Sequence, residues 1–222
     1  MNLSKALVAT LAFACLSSTA QAVSIANGSF ENFAGTVSPN GTLVSSGSAS
    51  LPGWSIVSQI GILVQPNIYN LTASEGVHFL DLTSFSSSGG GSGQGVEQVL
   101  SGLEVGRSYR VSMDLGVSNL PCVSGGVNCT GPVVVQASAA SVTASFTHDS
   151  AAPGNAWGNY GFEFTASSAS TPLRITMLST PGFYVGLDNV SISAVPEAHA
   201  VALFFVGLVV VAAHARSKRQ AV

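Results

Sequence analysis

Apolar and polar residues alternate with a period of two in short runs along the middle of the chain, and Gly, Pro, Asn and Ser interrupt the runs. That rhythm predicts β-strands joined by turns, because successive side chains on a strand point to opposite faces. In RSYRVSMDLG, Tyr109, Val111, Met113 and Leu115 share one face while Arg110, Ser112 and Asp114 share the other. The pattern is that of a half-buried antiparallel strand. YGFEFTA groups Tyr160, Phe162 and Phe164, PLRITML groups Leu173, Ile175 and Met177, and NVSISAV groups Val190, Ile192 and Ala194. Further strands are expected at Trp54–Val57, Ile60–Val64, Val77–Leu82, Val96–Leu100, Val133–Ala137 and Val142–Thr147. No amphipathic helix stands out between Val23 and Val195, although Ala137–Ser145 reads as either helix or strand. Roughly ten short strands without helices predict an all-β fold of two packed sheets, a sandwich.

Two segments break this rhythm. At the start, Lys5 precedes an apolar run from Ala6 to Leu16, and Ala20-Gln21-Ala22 supplies the small residues that a signal peptidase requires. A signal peptide cut after Ala22 is expected; a lipoprotein reading of Cys15 fits less well, because Ala12 stands where a large aliphatic residue belongs. Near the end, Ala200 to Ala213 carries no charge, and as a helix it would reach about 21 Å. That is short of the roughly 30 Å hydrocarbon core of a bilayer. Arg216, Lys218 and Arg219 come next, and the positive-inside bias would hold them on the cytoplasmic side. The expected organisation is therefore a signal peptide over 1–22, a sandwich domain over 23–195, and a segment over 196–222 with an apolar helix at about 200–213 and a basic tip at 216–219.

Composition narrows the chemistry. Between Val23 and Val195 there are three arginines, no lysine and nine carboxylates, a formal charge of −6. A nucleic-acid ligand is excluded on that balance, since such binding needs clustered cations. The stretch SFSSSGGGSGQG, Ser84 to Gly95, has too little apolar surface to order itself and is expected to be a mobile loop. A phosphate cradle would want a helix after it, whereas a strand is expected here. His78 and His148 are the domain's two histidines, and no Gly-x-Ser-x-Gly elbow surrounds a serine. His78 reads as a solvent-facing strand residue and His148 as the opening of a loop, so neither nucleophilic nor metal-assisted hydrolysis is expected. Nine acids leave room for a glycosidase pair, with no spacing signature that marks one. The protein is expected to be no enzyme. Trp54 and Trp157 read as core residues, and Tyr69, in a Pro/Asn-rich segment, as an exposed platform for a sugar. Cys122 and Cys129 are the cysteines that remain after signal removal, and export favours a disulfide across their short Gly-rich loop over two free thiols. So small a loop would contribute about 2–3 kcal/mol.

A family resemblance adds to this picture. NGSFEN (27–32), PGWSI (52–56), GVHFLDL (76–82), GVEQVLSGLEVGRSYRVSMDLG (95–116), WGNYGFEFTA (157–166) and GLDNVSISAVPE (186–197) together resemble the choice-of-anchor domains of bacterial PEP-CTERM proteins. The resemblance implies a jelly-roll sandwich of the galactose-binding-like kind, shared with many carbohydrate-binding modules. The tail is similar to the sorting signal recognised by an exosortase: Pro196-Glu197-Ala198 stands where that signal has Pro-Glu-Pro, ahead of the apolar run and the basic residues Arg216, Lys218 and Arg219. The likeness implies an exported protein, transiently inserted in the inner membrane and then released to the cell surface or matrix. Its expected role is structural or adhesive, in association with exopolysaccharide, with a carbohydrate-binding module as the alternative. The resemblance also implies a structural Ca²⁺ shared by Glu31, after the first strand's Asn-Gly-x-Phe, and Asp188 near the last strand.

Overall fold

The computed structural model describes residues 23–57, 62–68, 71–83, 93–117, 132–149, 156–178 and 184–196. Strands are numbered along the chain. One sheet holds, in spatial order, β1 (Thr42–Val44), β3 (Ile62–Gln65), β6 (Phe79–Asp81), β13 (Val185–Ala194), β8 (Ser108–Val117) and β11 (Trp157–Thr165). The other holds β10 (Val142–His148), β9 (Val133–Ala139), β12 (Ser170–Met177), β7 (Gly95–Ser101) and β2 (Ser55–Val57). A small hairpin of β4 (Asn67–Ile68) and β5 (Leu71–Thr72) stands apart. The strand pairs are antiparallel, and the molecule is a two-sheet sandwich, as the alternation predicts, of the jelly-roll kind that the family resemblance implies.

The inward faces obey the period of two. Tyr109, Val111, Met113 and Leu115 of β8 are buried, as are Leu173, Ile175 and Met177 of β12 and Val133, Val135, Ala137 and Ala139 of β9. Phe162 and Phe164 of β11 join them, and Tyr109 stacks on Phe164 with centroids 5.8 Å apart. The ambiguous Ala137–Ser145 stretch is the β9–β10 hairpin. Ala139 pairs with Val142 across a two-residue turn in which Ala140 takes a φ of +51°. Alternating burial against the opposite sheet outweighs the helical leaning of the alanines.

In β13 the period breaks. Leu187 faces the core opposite Leu115, yet Ile192, five positions on, faces it too opposite Val111. An odd separation can keep one face only if a residue is inserted, and the ladder shifts register between Asp188 and Ser191. Asn189, at a φ of +49°, absorbs the insertion.

The N-terminal segment docks on this bulge. NGSFEN folds into a turn in which the Asn27 side chain donates to the carbonyls of Asn32 and Pro52 and accepts the Asn32 N–H. Val190 N–H reaches the carbonyl of Gly28, and Trp54 Nε1 donates to the carbonyl of Asn27 while its ring packs on the buried Phe30. Trp54 is a core residue, as expected.

Two histidines sit differently from the sequence reading. His148 closes β10, 1% exposed, between the Tyr160 hydroxyl at 3.1 Å and the carbonyl of Ala156 at 3.2 Å. His78 precedes β6 and is half-buried beside Glu31. Alternation misplaces His78, which stands just before β6 with its side chain turned to Glu31, while His148, expected to open a loop, is instead the last residue of β10 and is buried. Among the described residues no helix is long and apolar enough to cross a membrane. The signal-peptide residues Ala20 and Ala22, and Glu197, Arg216, Lys218 and Arg219 of the tail, lie outside the described residues, as do Cys122, Cys129, Tyr69 and residues 84–92. Pro196 comes after β13, just past the point where the Val195 N–H bonds the Ser108 carbonyl.

Candidate functional site

The outer face of the six-stranded sheet carries the chemistry. Trp157 opens β11 and lies over a pair of glycines, Gly116 of β8 and Gly186 of β13, which are register partners. A Cβ on Gly116 would stand 2.7 Å from the indole and one on Gly186 2.8 Å from it, so only glycine admits the ring here. Phe79 meets the indole edge-on at 5.6 Å, and Trp157 Nε1 donates to the carbonyl of Thr72 on β5 at 2.9 Å. Leu71 of the same strand is buried against this stack. The β4–β5 hairpin thus roofs one half of the face, and Trp157 stands at the boundary.

Beyond the roof the face is polar and open. Asn159 lies two residues along β11 from Trp157, opposite Asp114 of β8. Asp114 Oδ1 accepts from Asn159 Nδ2 at 2.7 Å, and its Oδ2 accepts from Ser74 Oγ at 2.7 Å and from Asn189 Nδ2 at 3.2 Å. The left-handed backbone of Asn189 is what aims its amide at Asp114, and bulges commonly re-aim a side chain in this way. Asn159, Asn189 and Ser74 are exposed, and Asp114 is half-buried. The carboxylate organises three side chains from three separate parts of the chain.

Asp188 is the register partner of Asp114 on β13, yet its surroundings differ. It is fully buried, and Oδ2 accepts the backbone N–H groups of Ser74 and Glu75 while Oδ1 accepts that of Asn189. Burial pushes its pKa up to about 6, and these backbone donors pull the other way without cancelling it. Glu31 holds the far side of the same loop: Oε1 accepts the N–H groups of Val77 at 2.7 Å and His78 at 2.8 Å, and Oε2 faces His78 Nδ1 at 3.4 Å. A side chain at Gly76 would collide with that carboxylate, and its φ of +70° suits glycine.

The expected calcium pair therefore does converge on one element, the 74–78 strap, but each acid meets N–H groups there. Ca²⁺ is held by six to eight oxygens. The oxygens that a shared ion would need are already turned to hydrogen-bond donors, and the donor set does not fit the ion. Among the described residues no three His, Cys, Asp or Glu side chains gather as metal ligands.

A third acid, Asp81 of β6, carries no signal in the sequence because it occupies a polar position of an ordinary alternation. It is fully buried under the roofed half, and Oδ1 accepts the N–H and hydroxyl of Thr83, while Oδ2 has no hydrogen-bond partner among the described residues. Both amide atoms of Gln65, on neighbouring β3, are equally buried and have no well-formed hydrogen bond among the described residues, although the side chain lies near enough to Asp81 to draw its pKa down. Desolvation pushes Asp81 up to about 6.

Of the residues singled out from sequence, Trp54 is core, Trp157 is half-buried at the edge of the open face, and Glu31 and Asp188 clamp one strap. The Asp114 network is not legible there, since its donors lie 40, 45 and 75 positions away along the chain.

Solved structures share this architecture. A cyclase from Fischerella sp. TAU, in complex with 4-(1H-indol-3-yl)butan-2-one, superposes over 79% of this chain and 98% of its own, with a TM-score of 0.56 and 21% identity. That likeness is one of fold. Carbohydrate-binding modules are also among the structural neighbours. The CBM22-1 xylan-binding domain of Xyn10C from Paenibacillus barcinonensis covers 73% of this chain and 100% of its own at a TM-score of 0.43 and 11% identity. The module TmCBM61, in complex with β-1,4-galactotriose, covers 65% and 90% at 0.44 and 12%. No curated protein sequence matches the chain. A family model does match residues 23–193, the whole sandwich, under the description "Protein of unknown function (DUF642)". The chain belongs to the DUF642 family.

Proposed function

We propose that this protein is a non-catalytic, exported carbohydrate-binding module that works on polysaccharide outside the cell. The observation that carries the reading is the open half of the six-stranded sheet, where Asp114 fixes Asn159, Asn189 and Ser74 beside the edge of Trp157. Glycans are held by fixed polar side chains together with an aromatic surface, and binding groups set on strands lose little entropy when a ligand arrives. The non-catalytic part of the reading draws support from Asp188. It is the acid nearest to Asp114 in the ladder, and the backbone of Ser74 and Glu75 closes it off from any substrate.

Export, exosortase recognition, passage through the inner membrane and release to the surface or matrix belong to the same proposal. They rest on Ala20 and Ala22, on Pro196-Glu197, and on Arg216, Lys218 and Arg219. In this scheme the sandwich is delivered to exopolysaccharide.

Affinity electrophoresis of the full-length protein through gels cast with xylan, galactan or the host's exopolysaccharide tests the reading. Retardation by at least one of them, relieved in Asn159→Ala, is expected. A protein that none of these gels retards is a matrix scaffold without a glycan ligand, and the proposal falls.

A further inference from the structure

We propose that β10 is a docking edge for a second copy of this chain, so that two five-stranded sheets join across a two-fold axis into one. The β9–β10 hairpin decides which backbone groups are free. Ala139 and Val142 close its two-residue turn, so Val142, Ala144, Phe146 and His148 exchange hydrogen bonds with β9, and the N–H and C=O groups of Thr143, Ser145 and Thr147 point away from it. Two bonds fix that phase. The carbonyl of Val134, on β9, accepts the Leu178 N–H on the β12 side, and the carbonyl of Thr147 accepts the Tyr160 hydroxyl on the side away from β9. Among the described residues the backbone N–H groups of Thr143, Ser145 and Thr147 have no partner.

This edge is also unguarded. Proteins shield sheet edges with charges, prolines or very short strands. The edge strands β1 and β2 are three residues long, and the edge strand β11 carries the exposed Glu163. β10 has seven residues, VTASFTH, with no carboxylate, lysine, arginine or proline. Its inward side chains are incompletely covered: Val142, Ala144 and Phe146 are only partly buried, whereas Val133, Val135 and Ala137 of neighbouring β9 are fully so. Phe146 leans on Tyr160 at 5.7 Å and on Phe162 at 6.5 Å, so the seam left open is aromatic.

The strand is complementary to itself. In an antiparallel joint the outward-pointing residues of one strand face those of the other, and a two-fold axis at Ser145 uses all three. Ser145 meets its own counterpart and Thr143 meets the second copy's Thr147, which makes about six hydrogen bonds, two for each pair. On the inner side the same register sets Phe146 beside the second copy's Ala144, a large residue beside a small one. Asp149, the nearest charge along the chain, falls opposite the turn residue Ser141, so no carboxylate meets another. An axis of this kind runs perpendicular to the joined sheet and leaves both six-stranded sheets on one side of it. The two open faces then look the same way, and one polymer can engage both.

Sedimentation of the full-length protein in a density-matched detergent tests this. A monomer–dimer equilibrium with a Kd on the order of 10–100 µM is expected, because an edge joint is smaller than a standard interface. Ser145→Lys sets two ammonium groups side by side at the axis and should weaken dimerisation by at least about tenfold. Ser55→Lys places the same charge at an exposed position of β2, the far edge of the same sheet, and should leave dimerisation unchanged. A second readout is covalent. Bonded antiparallel pairs hold their Cα atoms about 5.5 Å apart, within disulfide reach, so Ser145→Cys should oxidise to a dimer above the background of the parent, and Ser55→Cys should not. A protein that stays monomeric throughout that concentration range overturns the inference and leaves β10 to a strand of some other kind. A dimer that Ser145→Lys leaves intact overturns it too, since the copies then meet elsewhere, for instance through the apolar run at 200–213. Should Ser145→Lys unfold, the oxidation of Ser145→Cys decides. None of these outcomes involves a glycan, so the carbohydrate reading stands or falls separately.

Discussion

The outer face of the six-stranded sheet has two halves, each built around an aspartate, and they treat it in opposite ways. Under the β4–β5 roof, Asp81 is fully buried, with one oxygen on Thr83 and the other lacking a well-formed hydrogen bond among the described residues. Past Trp157, Asp114 is half-buried and all of its hydrogen bonds come from side chains that solvent also reaches. The covered half converts polar residues into a structural cost that apolar packing by Phe79, Leu71 and Trp157 offsets. The open half spends little on stability and keeps groups that can exchange one partner for another. A sheet face becomes a site where the roof stops.

Substitutions on the two halves can break this contrast. The largest effect should come from Phe79→Ala, which empties the space under the roof; a loss of about 3–5 kcal/mol is expected in a denaturant titration. Next comes Asp81→Asn. The folded pKa of Asp81 is raised from 3.8 to about 6, so the stability associated with its neutral form is fully present below about pH 4 and is lost as pH rises through about 6. An asparagine stays neutral throughout. At pH 8 the variant should therefore be more stable than the parent by on the order of 3 kcal/mol, two pKa steps, and at pH 4 the two should match. Asp188, also raised to about 6, stays in place, so some pH dependence should survive the substitution. Equal melting curves at pH 8 would show that Asp81 has a partner after all.

Smaller changes sharpen the boundary. Gly116→Ala sets a Cβ 2.7 Å from the Trp157 ring, and overpacking of this kind costs roughly 1–3 kcal/mol. Its more telling readout is fluorescence: Trp54 stays buried, so a red shift would report Trp157 alone leaving its seat. Asp114→Asn, on the open half, should shift stability by no more than about 1 kcal/mol while it alters glycan retention. The smallest effect is expected from metal removal. Because Glu31 and Asp188 face backbone N–H groups, melting temperatures in calcium and in chelator should coincide; a rise with calcium would show that the strap rearranges to admit the ion.

The sequence announces long strands well and short ones poorly. β8, β11 and β12 carry seven or more alternating positions, enough for the period of two to show, and they stand where it places them. β1, β4 and β5 are two or three residues long, below the length at which any period is visible. β13 looks regular from Val190 to Ala194, but its inserted residue emerges only when Leu187 is set against Ile192 across β8. The acids show the same divide. Glu31 and Asp188 do approach a common strap, as the family likeness implies, but the sequence does not reveal that the strap offers amides. Asp114 looks like any outward strand residue, because the donors that make it a centre arrive from a strap, an edge strand and a bulge. Local pattern reports which face a residue takes, and says nothing of who meets it there.

The placement of β13 has a mechanical consequence. It is the last strand before Pro196 and it runs between β6 and β8, hydrogen-bonded on both flanks. If the chain beyond Pro196 is ever tethered, tension enters the fold along an interior strand. Its C-terminal half is laddered to β8, and the pairing with β6 is confined to Gly186 and Leu187 at the other end of the strand. The docked turn at Gly28, which bonds Val190, adds a third point of grip near the bulge. Load arriving from that side would meet the β8 ladder first, the Gly28 contact at the bulge next and the β6 pairing last.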